Sequence, residues 1–287
     1  MKIGVSSYSF AALVSAGGMR FIEIPSRARD MGFDVVEFST LAVPEGQATT
    51  DFAAELGREC RRVGIEVGPY TIAADFINGR DGPASQEVER LRGELEVATI
   101  LGSPGMRHDA AWGFAGTFDQ ALPALADGCR KVSEIGASRG IVTMVENHGY
   151  FAQDAERMEK LVAAVGHPNF GLLVDVGNFL CADEDPARAV GRLAPFARHV
   201  HVKDFHVKSG SDPDPGRGWF RSRAGNFLRG AVVGHGAVPV AQCLGILSRA
   251  GYDGTVSLEF EGIEDPIVGC SIGLENLKRF MAGLPTS

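Results

Sequence analysis

The sequence predicts an α/β fold, a single (β/α)8 TIM barrel over residues 1–287, and three observations lead there. Eight short apolar or β-branched runs recur along the chain, helix-patterned segments separate them, and no Pro/Gly/Ser-rich linker or low-complexity tract divides them. Strand alternating with helix favours parallel pairing. Eight such units close a barrel, and barrels of about 250 residues are commonly one domain.

The strand candidates are Lys2–Ser9, which alternates from the first residues, then Asp34–Ser39, Glu66–Thr71, Gly105–Asp109, Ile141–Asn147, Gly171–Asp175, His199–Lys203 and Thr255–Glu261. Between them lie helical signals: Asp51 ahead of Phe52-Ala53-Ala54-Glu55-Leu56, and Gly64 and Gly136 placed to end helical runs. The least helical connection is 205–238, rich in Gly, Pro, Asp and Arg, and its length predicts a lid after the seventh strand. Segments 73–84 and 110–117 are expected to lengthen the opposite wall. Gly234-His235-Gly236 reads as a turn before the last helix, because it is too short for a phosphate loop and lacks the following Lys-Ser/Thr.

Composition narrows the function. Of the 287 residues, 45% are hydrophobic, with no uninterrupted apolar stretch of membrane-spanning length, so a soluble protein with a large core is expected. The N-terminus enters a strand pattern directly and carries no secretory signal pattern, which predicts a cytoplasmic location. Five scattered cysteines without a Cys-x-x-Cys pair argue against a disulfide framework and a zinc ribbon, and are expected to be buried or idle. A net charge of −8 disfavours nucleic acid as a partner and leaves a small molecule as the expected one. A homo-oligomer is compatible with all of this.

The chemistry is expected where the last four apolar runs finish in acids or histidine: Val145-Glu146-Asn147-His148, Leu173-Val174-Asp175, Val200-His201-Val202-Lys203-Asp204 and Ser257-Leu258-Glu259. The separations of 29 (175−146), 26 (201−175) and 58 (259−201) residues are close to one, one and two βα units. Neighbouring strands then bring Glu146, Asp175, His201 and Glu259 to one point at the barrel mouth. Three carboxylates and an imidazole are mainly hard donors, which suits one divalent ion, manganese first, with magnesium, cobalt or zinc as alternatives. A strand-end acid is as often a helix cap or a loop ion-pair partner, but four in consecutive strands make that reading weaker. His199 and His201 share a side of their strand, so either qualifies as the ligand by pattern.

Around this centre His148, Arg107 and Glu37 are candidate substrate contacts, and each has a structural alternative: a solvated loop histidine, an arginine paired with a neighbouring acid, and a strand-end acid of unassigned role. His108 shares the ambiguity of Arg107. Lys203 is a further candidate, and its simplest alternative is an ion pair with Asp204. Arg217, Arg221, Arg223 and Arg229 of the 205–238 connection offer a grip for an anionic substrate, although a solvated charged loop is favoured. No Gly-x-Ser-x-Gly elbow or nucleotide fingerprint supports a serine hydrolase or a dinucleotide enzyme.

These residues resemble the xylose-isomerase-like barrel superfamily, the sugar phosphate isomerase/epimerase group. The matching pieces are Gly32-Phe33-Asp34-Val35-Val36-Glu37, Glu146-Asn147-His148, Asp175-Val176-Gly177-Asn178, His199-Val200-His201-Val202-Lys203-Asp204, and Gly251-Tyr252-Asp253-Gly254 leading to Ser257-Leu258-Glu259. The resemblance covers nearly the whole chain, and it implies Glu146, Asp175, His201 and Glu259 as ligands, choosing His201 over His199. It also implies Asn178 as a substrate contact, at a position where ketose epimerases of the group carry histidine. Apurinic endonucleases share the barrel and resemble a three-metal design. This chain departs from that design at Gly68-Pro69-Tyr70, at Asn178, and in lacking an Asp-x-His pair within 216–230.

The reaction implied is proton transfer next to the carbonyl of a sugar, keto-sugar or keto-acid through an enediolate, with Glu146 and Glu259 as acid and base. Isomerase or epimerase leads. A dehydratase or lyase follows, and a nuclease or a non-catalytic sugar-binding protein comes last.

Overall fold

A computed structural model describes residues 1–284; the last three residues of the expected 1–287 domain lie outside the described residues. The strands are β1 (Lys2–Ser6), β2 (Val35–Ser39), β3 (Glu66–Ile72), β4 (Gly105–His108), β5 (Val142–Glu146), β6 (Phe170–Asp175), β7 (Ala197–Val202), β8 (Asp204–Lys208), β9 (Phe220–Arg221), β10 (Phe227–Ala231) and β11 (Thr255–Leu258). Eight of them close a parallel barrel in the order β1-β11-β7-β6-β5-β4-β3-β2, with β2 returning to β1. These eight coincide with the eight periodic runs of the sequence to within a few residues at each end. Alternation along each strand sends one set of side chains, among them Val36, Val145, Val174, Val200 and Val256, into a fully buried layer with Leu56, Leu91, Leu125 and Leu161 of the surrounding helices. The other set faces the barrel axis.

Helix boundaries follow local chemistry. The helix Thr49–Val63 ends on Gly64 in the left-handed conformation, as expected from sequence. Gly136 does not end its helix, which runs over Phe118–Ser138. A Cβ at Gly136 would lie 2.7 Å from the Ile141 carbonyl oxygen, so the glycine serves close helix-to-strand approach. No helix among the described residues is long and apolar enough to cross a membrane, and all five cysteines are buried and free.

The largest departure is 205–238. Much of this connection is ordered structure: β8 and β10 pair antiparallel, β9 adds to β10, and the resulting three-stranded sheet stands beside the mouth. Arg223 bonds Asp154 and the Tyr150 carbonyl, while Arg221 reaches the Gly225 carbonyl and lies over Phe227. Arg229 lies over Trp219, and all three arginines are therefore held by the protein's own groups. Gly234-His235-Gly236 is a turn, but the helix that follows is Val240–Arg249 and not the last one, Pro266–Ala282.

The expected pairing of Lys203 with Asp204 does not form. Successive residues on a strand point to opposite faces, and Asp204 instead accepts backbone N–H groups from Phe205, Gly234, Gly236 and Val238 at 2.8–3.0 Å. This buried carboxylate ties the return of the insertion to its start. Asp204→Ala should leave several of these donors unpaired and lower stability by roughly 2–4 kcal/mol, with preferential proteolysis inside 205–238. Urea unfolding and limited proteolysis check this; a variant as stable and as resistant as the parent would remove Asp204 as the anchor.

Candidate metal centre

The axis-facing set of side chains turns polar at the carboxyl ends of β5, β6, β7 and just beyond β11. The register pairs Asp175 with His201 and His201 with Ser257, so neighbouring strands present their end groups at one level. Asn147 reinforces this by accepting from the Asp175 N–H at 2.8 Å and donating to its carbonyl at 2.9 Å, which extends the β5–β6 ladder by one side chain. One atom each from Glu146, Asp175, His201 and Glu259 lies within 4.8 Å of the others, and all four residues are buried. His201 Nδ1 stands 3.8 Å from Glu146 Oε1, 3.9 Å from Asp175 Oδ2 and 3.7 Å from Glu259 Oε1.

Two atoms of this cluster, His201 Nδ1 and Asp175 Oδ2, are buried without a hydrogen-bond partner from the protein. Buried polar atoms are normally paired, so two orphans facing two further carboxylates are what a cation site requires. The donor chemistry fits a divalent ion.

Each ligand candidate is oriented from behind. Asp175 Oδ1 accepts from the backbone N–H groups of Gly177 and Asn178 at 2.8 and 2.9 Å, leaving Oδ2 turned inward. Burial, with Glu146 and Glu259 close by, pushes the Asp175 carboxyl up to about 7 despite the Lys203 ammonium. Glu146 is held by the Asn178 amide at 2.9 Å on Oε1, and Arg107 Nε lies 2.7 Å from Oε2. Burial disfavours its charge, but the Arg107 guanidinium and His201 prevail and keep the carboxyl well below the usual range. His201 Nε2 meets Glu37 Oε1 at 2.7 Å, and a proton on Nε2 leaves Nδ1 as the inward lone pair.

Glu37 sits beneath the cluster, between the two histidines of β7. It has no solvent-accessible surface, takes His199 on one oxygen at 2.6 Å and His201 on the other, and does not line the cavity. Because β2 and β7 are not neighbours in the sheet, this contact spans the barrel interior. Burial alone would raise its pKa, yet His201 and His199 hold the carboxyl far below its ordinary value. Glu37 is an orienting group, and His199 points at it and at Ser257, away from the other three ligand candidates. Asn178 directs its side-chain amide to Glu146 and does not line the cavity.

Lys203 is buried among acids, with Nζ 2.5 Å from Glu259 Oε2, 3.1 Å from Glu261 Oε1 and 3.4 Å from Asp175 Oδ2. Burial works against its charge, but Asp175 and Glu259 outweigh that and raise its pKa well above the ordinary lysine value. Arg107 donates to the Ile72 carbonyl and pairs with Asp109 and Glu146. His108 points away, its Nδ1 2.8 Å from the Asp109 carbonyl and its ring edge-on to Phe76. His148 lines the cavity, with Nδ1 on Asp109 Oδ1 at 3.0 Å and its ring edge-on to Trp112.

Above the cluster is a cavity of about 300 Å³. Its walls include Tyr8, Thr71, Arg80, Asp109, Trp112 and Glu261, none of which was singled out from sequence as a site residue. Asp109 and Glu261 carried the same strand-end signal that marked Glu146. Arg80 and Trp112 come from the 73–84 and 110–117 connections, which both line the cavity; nothing in either sequence marks which of their residues face inward.

The sequence matches the family of xylose isomerase-like TIM barrels over residues 25–279. An inosose dehydratase from Clostridium botulinum is 27% identical over 147 residues, covering 50% of this chain and 48% of that protein. One from Bacillus anthracis is 26% identical over 202 residues, covering 67% and 61%. The chain thus spans about half the length of the first of these curated relatives. Among solved structures, L-ribulose 3-epimerase superposes with a TM-score of 0.71 at 18% identity, covering 98% of this chain and 97% of that one. D-psicose 3-epimerase from Clostridium cellulolyticum gives 0.73 at 14% identity, covering 98% and 99%, and at these identities the likeness concerns the fold. With the family pattern matched over most of its length and the closed eight-stranded barrel in place, the chain belongs to the xylose isomerase-like TIM barrel family.

Proposed function

We propose that this protein is a divalent-metal-dependent enzyme that moves the proton next to the carbonyl of a sugar-like keto compound, epimerising or isomerising it. The observation that carries this reading is the pair Glu146 and Glu259, on barrel strands or strand ends separated by β6 and β7, both lining one cavity. Asp175 and His201 would complete the ligand set, and manganese is our first choice for this mainly oxygen-donor site. When bound, the ion supplies Lewis-acid stabilisation of the negative charge that develops on the carbonyl oxygen as the proton leaves.

The chain's own groups do the rest. Arg107 keeps Glu146 ionised and therefore ready to accept a proton. Lys203 fixes one oxygen of Glu259, so that carboxylate is held in place. Proton removal by one glutamate and return by the other from the opposite face inverts the carbon, while return to the adjacent carbon isomerises the substrate. A small sugar or keto-acid is the partner this cavity suits.

A second reading, loss of a β-hydroxyl after the same proton removal, is favoured by two observations. Asn178 spends its amide on Glu146 and leaves unfilled the substrate-contacting role implied for that position by the ketose epimerases. The curated relatives named above are inosose dehydratases. A screen of solvent-deuterium incorporation over ketoses, inososes and keto-acids with the manganese-loaded protein, followed by product identification, separates inversion, isomerisation and elimination.

Two variants test the assignment of roles. Glu146→Gln and Glu259→Gln keep an oxygen near the ion but accept no proton, so each should lower turnover by about 10²–10⁴ while metal content, read by elemental analysis, changes far less. Wild-type turnover in both variants at saturating metal would exclude the two-carboxylate mechanism. Glu37→Gln should keep the fold and lose roughly 10–100-fold in manganese affinity, because the amide no longer demands a proton on both histidines. Titration calorimetry of the metal-free variant measures this, and unchanged affinity would strip Glu37 of its orienting role.

A further inference from the structure

The two oxygens of Asp109, a cavity-lining carboxylate, differ completely in what they meet. Oδ1 receives Arg107 Nη2 at 2.9 Å and His148 Nδ1 at 3.0 Å, whereas Oδ2 is buried with no hydrogen-bond partner from the protein. The residue is only 4% exposed, and it follows β4 directly, on the same face as Arg107. Burial disfavours its charge, but Arg107 and His148 more than offset this and lower its pKa below the ordinary aspartate value. Arg107 donates to the Ile72 carbonyl and its charge is shared between Asp109 and Glu146. An ionised, rigidly held carboxylate of the cavity wall that keeps one buried oxygen without a partner is an acceptor awaiting a donor.

The wall also indicates what kind of donor. Lys203 and Arg107, the buried cations, are each neutralised by two or more carboxylates, and Asp109 and Glu261 add negative charge beside them. A phosphate or carboxylate brought against Asp109 would meet like charge, whereas a hydroxyl can donate to it.

We propose that Asp109 is a specificity-determining residue whose Oδ2 accepts a hydrogen bond from a ring or chain hydroxyl of a polyhydroxylated keto substrate, at a carbon remote from the reacting one. This rests on the proton-transfer reading above and goes further, since at the Asp109 position it selects a hydroxyl over a phosphate or carboxylate. Sites built to pair a substrate hydroxyl discriminate strongly against an analogue that lacks it, because the buried acceptor is then left bare.

The test uses the manganese-loaded full chain and two probes in deuterated solvent: dihydroxyacetone, too short to have a remote hydroxyl, and scyllo-inosose with its monodeoxy analogues. Wild type should exchange the proton next to the carbonyl in both probes, and removal of one particular ring hydroxyl should lower kcat/KM by roughly 10²-fold or more. In Asp109→Asn that penalty, read as the ratio of parent to deoxy analogue within the variant so that any change in basal exchange cancels, should shrink to less than about tenfold. Exchange by wild type with every monodeoxy analogue within a few-fold of the parent overturns the role of Asp109 even if the variant fails to fold, as does a penalty retained in a folded variant. Silence of the loaded wild type toward both probes removes the proton-transfer reading and this inference with it.

Discussion

Three carboxylates and an imidazole held within 4.8 Å of one another under cover of a protein is the arrangement on which the rest of this molecule depends. Like charges about 4 Å apart repel by about 4 kcal/mol at an effective dielectric near 20, so no flexible loop would hold them together. The closed barrel does, because each group sits at or just beyond the end of a strand paired on both sides, and strand register sets the level of each. The charge is then shared out: Arg107 serves Glu146, and Lys203 serves Asp175 and Glu259. His201 Nδ1 and Asp175 Oδ2 are left without a hydrogen bond beside Glu146 and Glu259, an arrangement that suits a cation.

The mouth of the barrel is organised by aspartates that gather backbone N–H groups. Asp75 collects Ile77, Asn78 and Trp112, joining the two connections of one wall. Asp204 closes the base of the inserted sheet with backbone donors alone, and Asp183 takes the Ser222 hydroxyl, the Ala224 N–H and the Asn226 side-chain amide at its far turn. Long connections otherwise lose order because their backbone groups find water as easily as protein, and a buried charged acceptor reverses that preference. The cavity above the candidate metal centre thereby acquires walls with defined side chains, among them Trp112, which stacks its edge with His148 and lies beneath the Arg80 guanidinium.

One glycine shows how tightly the insertion is fitted. A Cβ at Gly230, on β10, would stand 2.2 Å from the Glu261 carbonyl oxygen, so the sheet lies directly against the segment that follows β11 and carries Glu259 and Glu261. The insertion thus braces the segment that carries Glu259 and Glu261 from behind.

The barrel and the four converging groups were legible in the sequence because both are written in local patterns: period-two alternation within a strand, and a change from apolar to acidic residues where it ends. Asp175 and Glu146 are found this way without knowledge of their neighbours. The pattern placed His199 and His201 on one face and could not rank them; Glu37, reaching across the barrel from β2, takes Nε2 of both rings and leaves only His201 with its second nitrogen facing the acids. The antiparallel sheet within 205–238 was hidden because its strands are short, polar and interrupted by Gly and Pro, so their order comes from pairing and from Asp204 and Asp183 more than from any apolar period. Lys203, Asn178 and Asp109 were visible as residue types, but their partners lie on other strands or after them, dozens of residues away. By itself the sequence determined which strands exist and which of their ends are charged, since these depend on neighbours along the chain. Only the tertiary structure decided which charge meets which, because that depends on barrel closure and register, and electrostatic pairing falls off over a few ångströms of space regardless of separation in sequence.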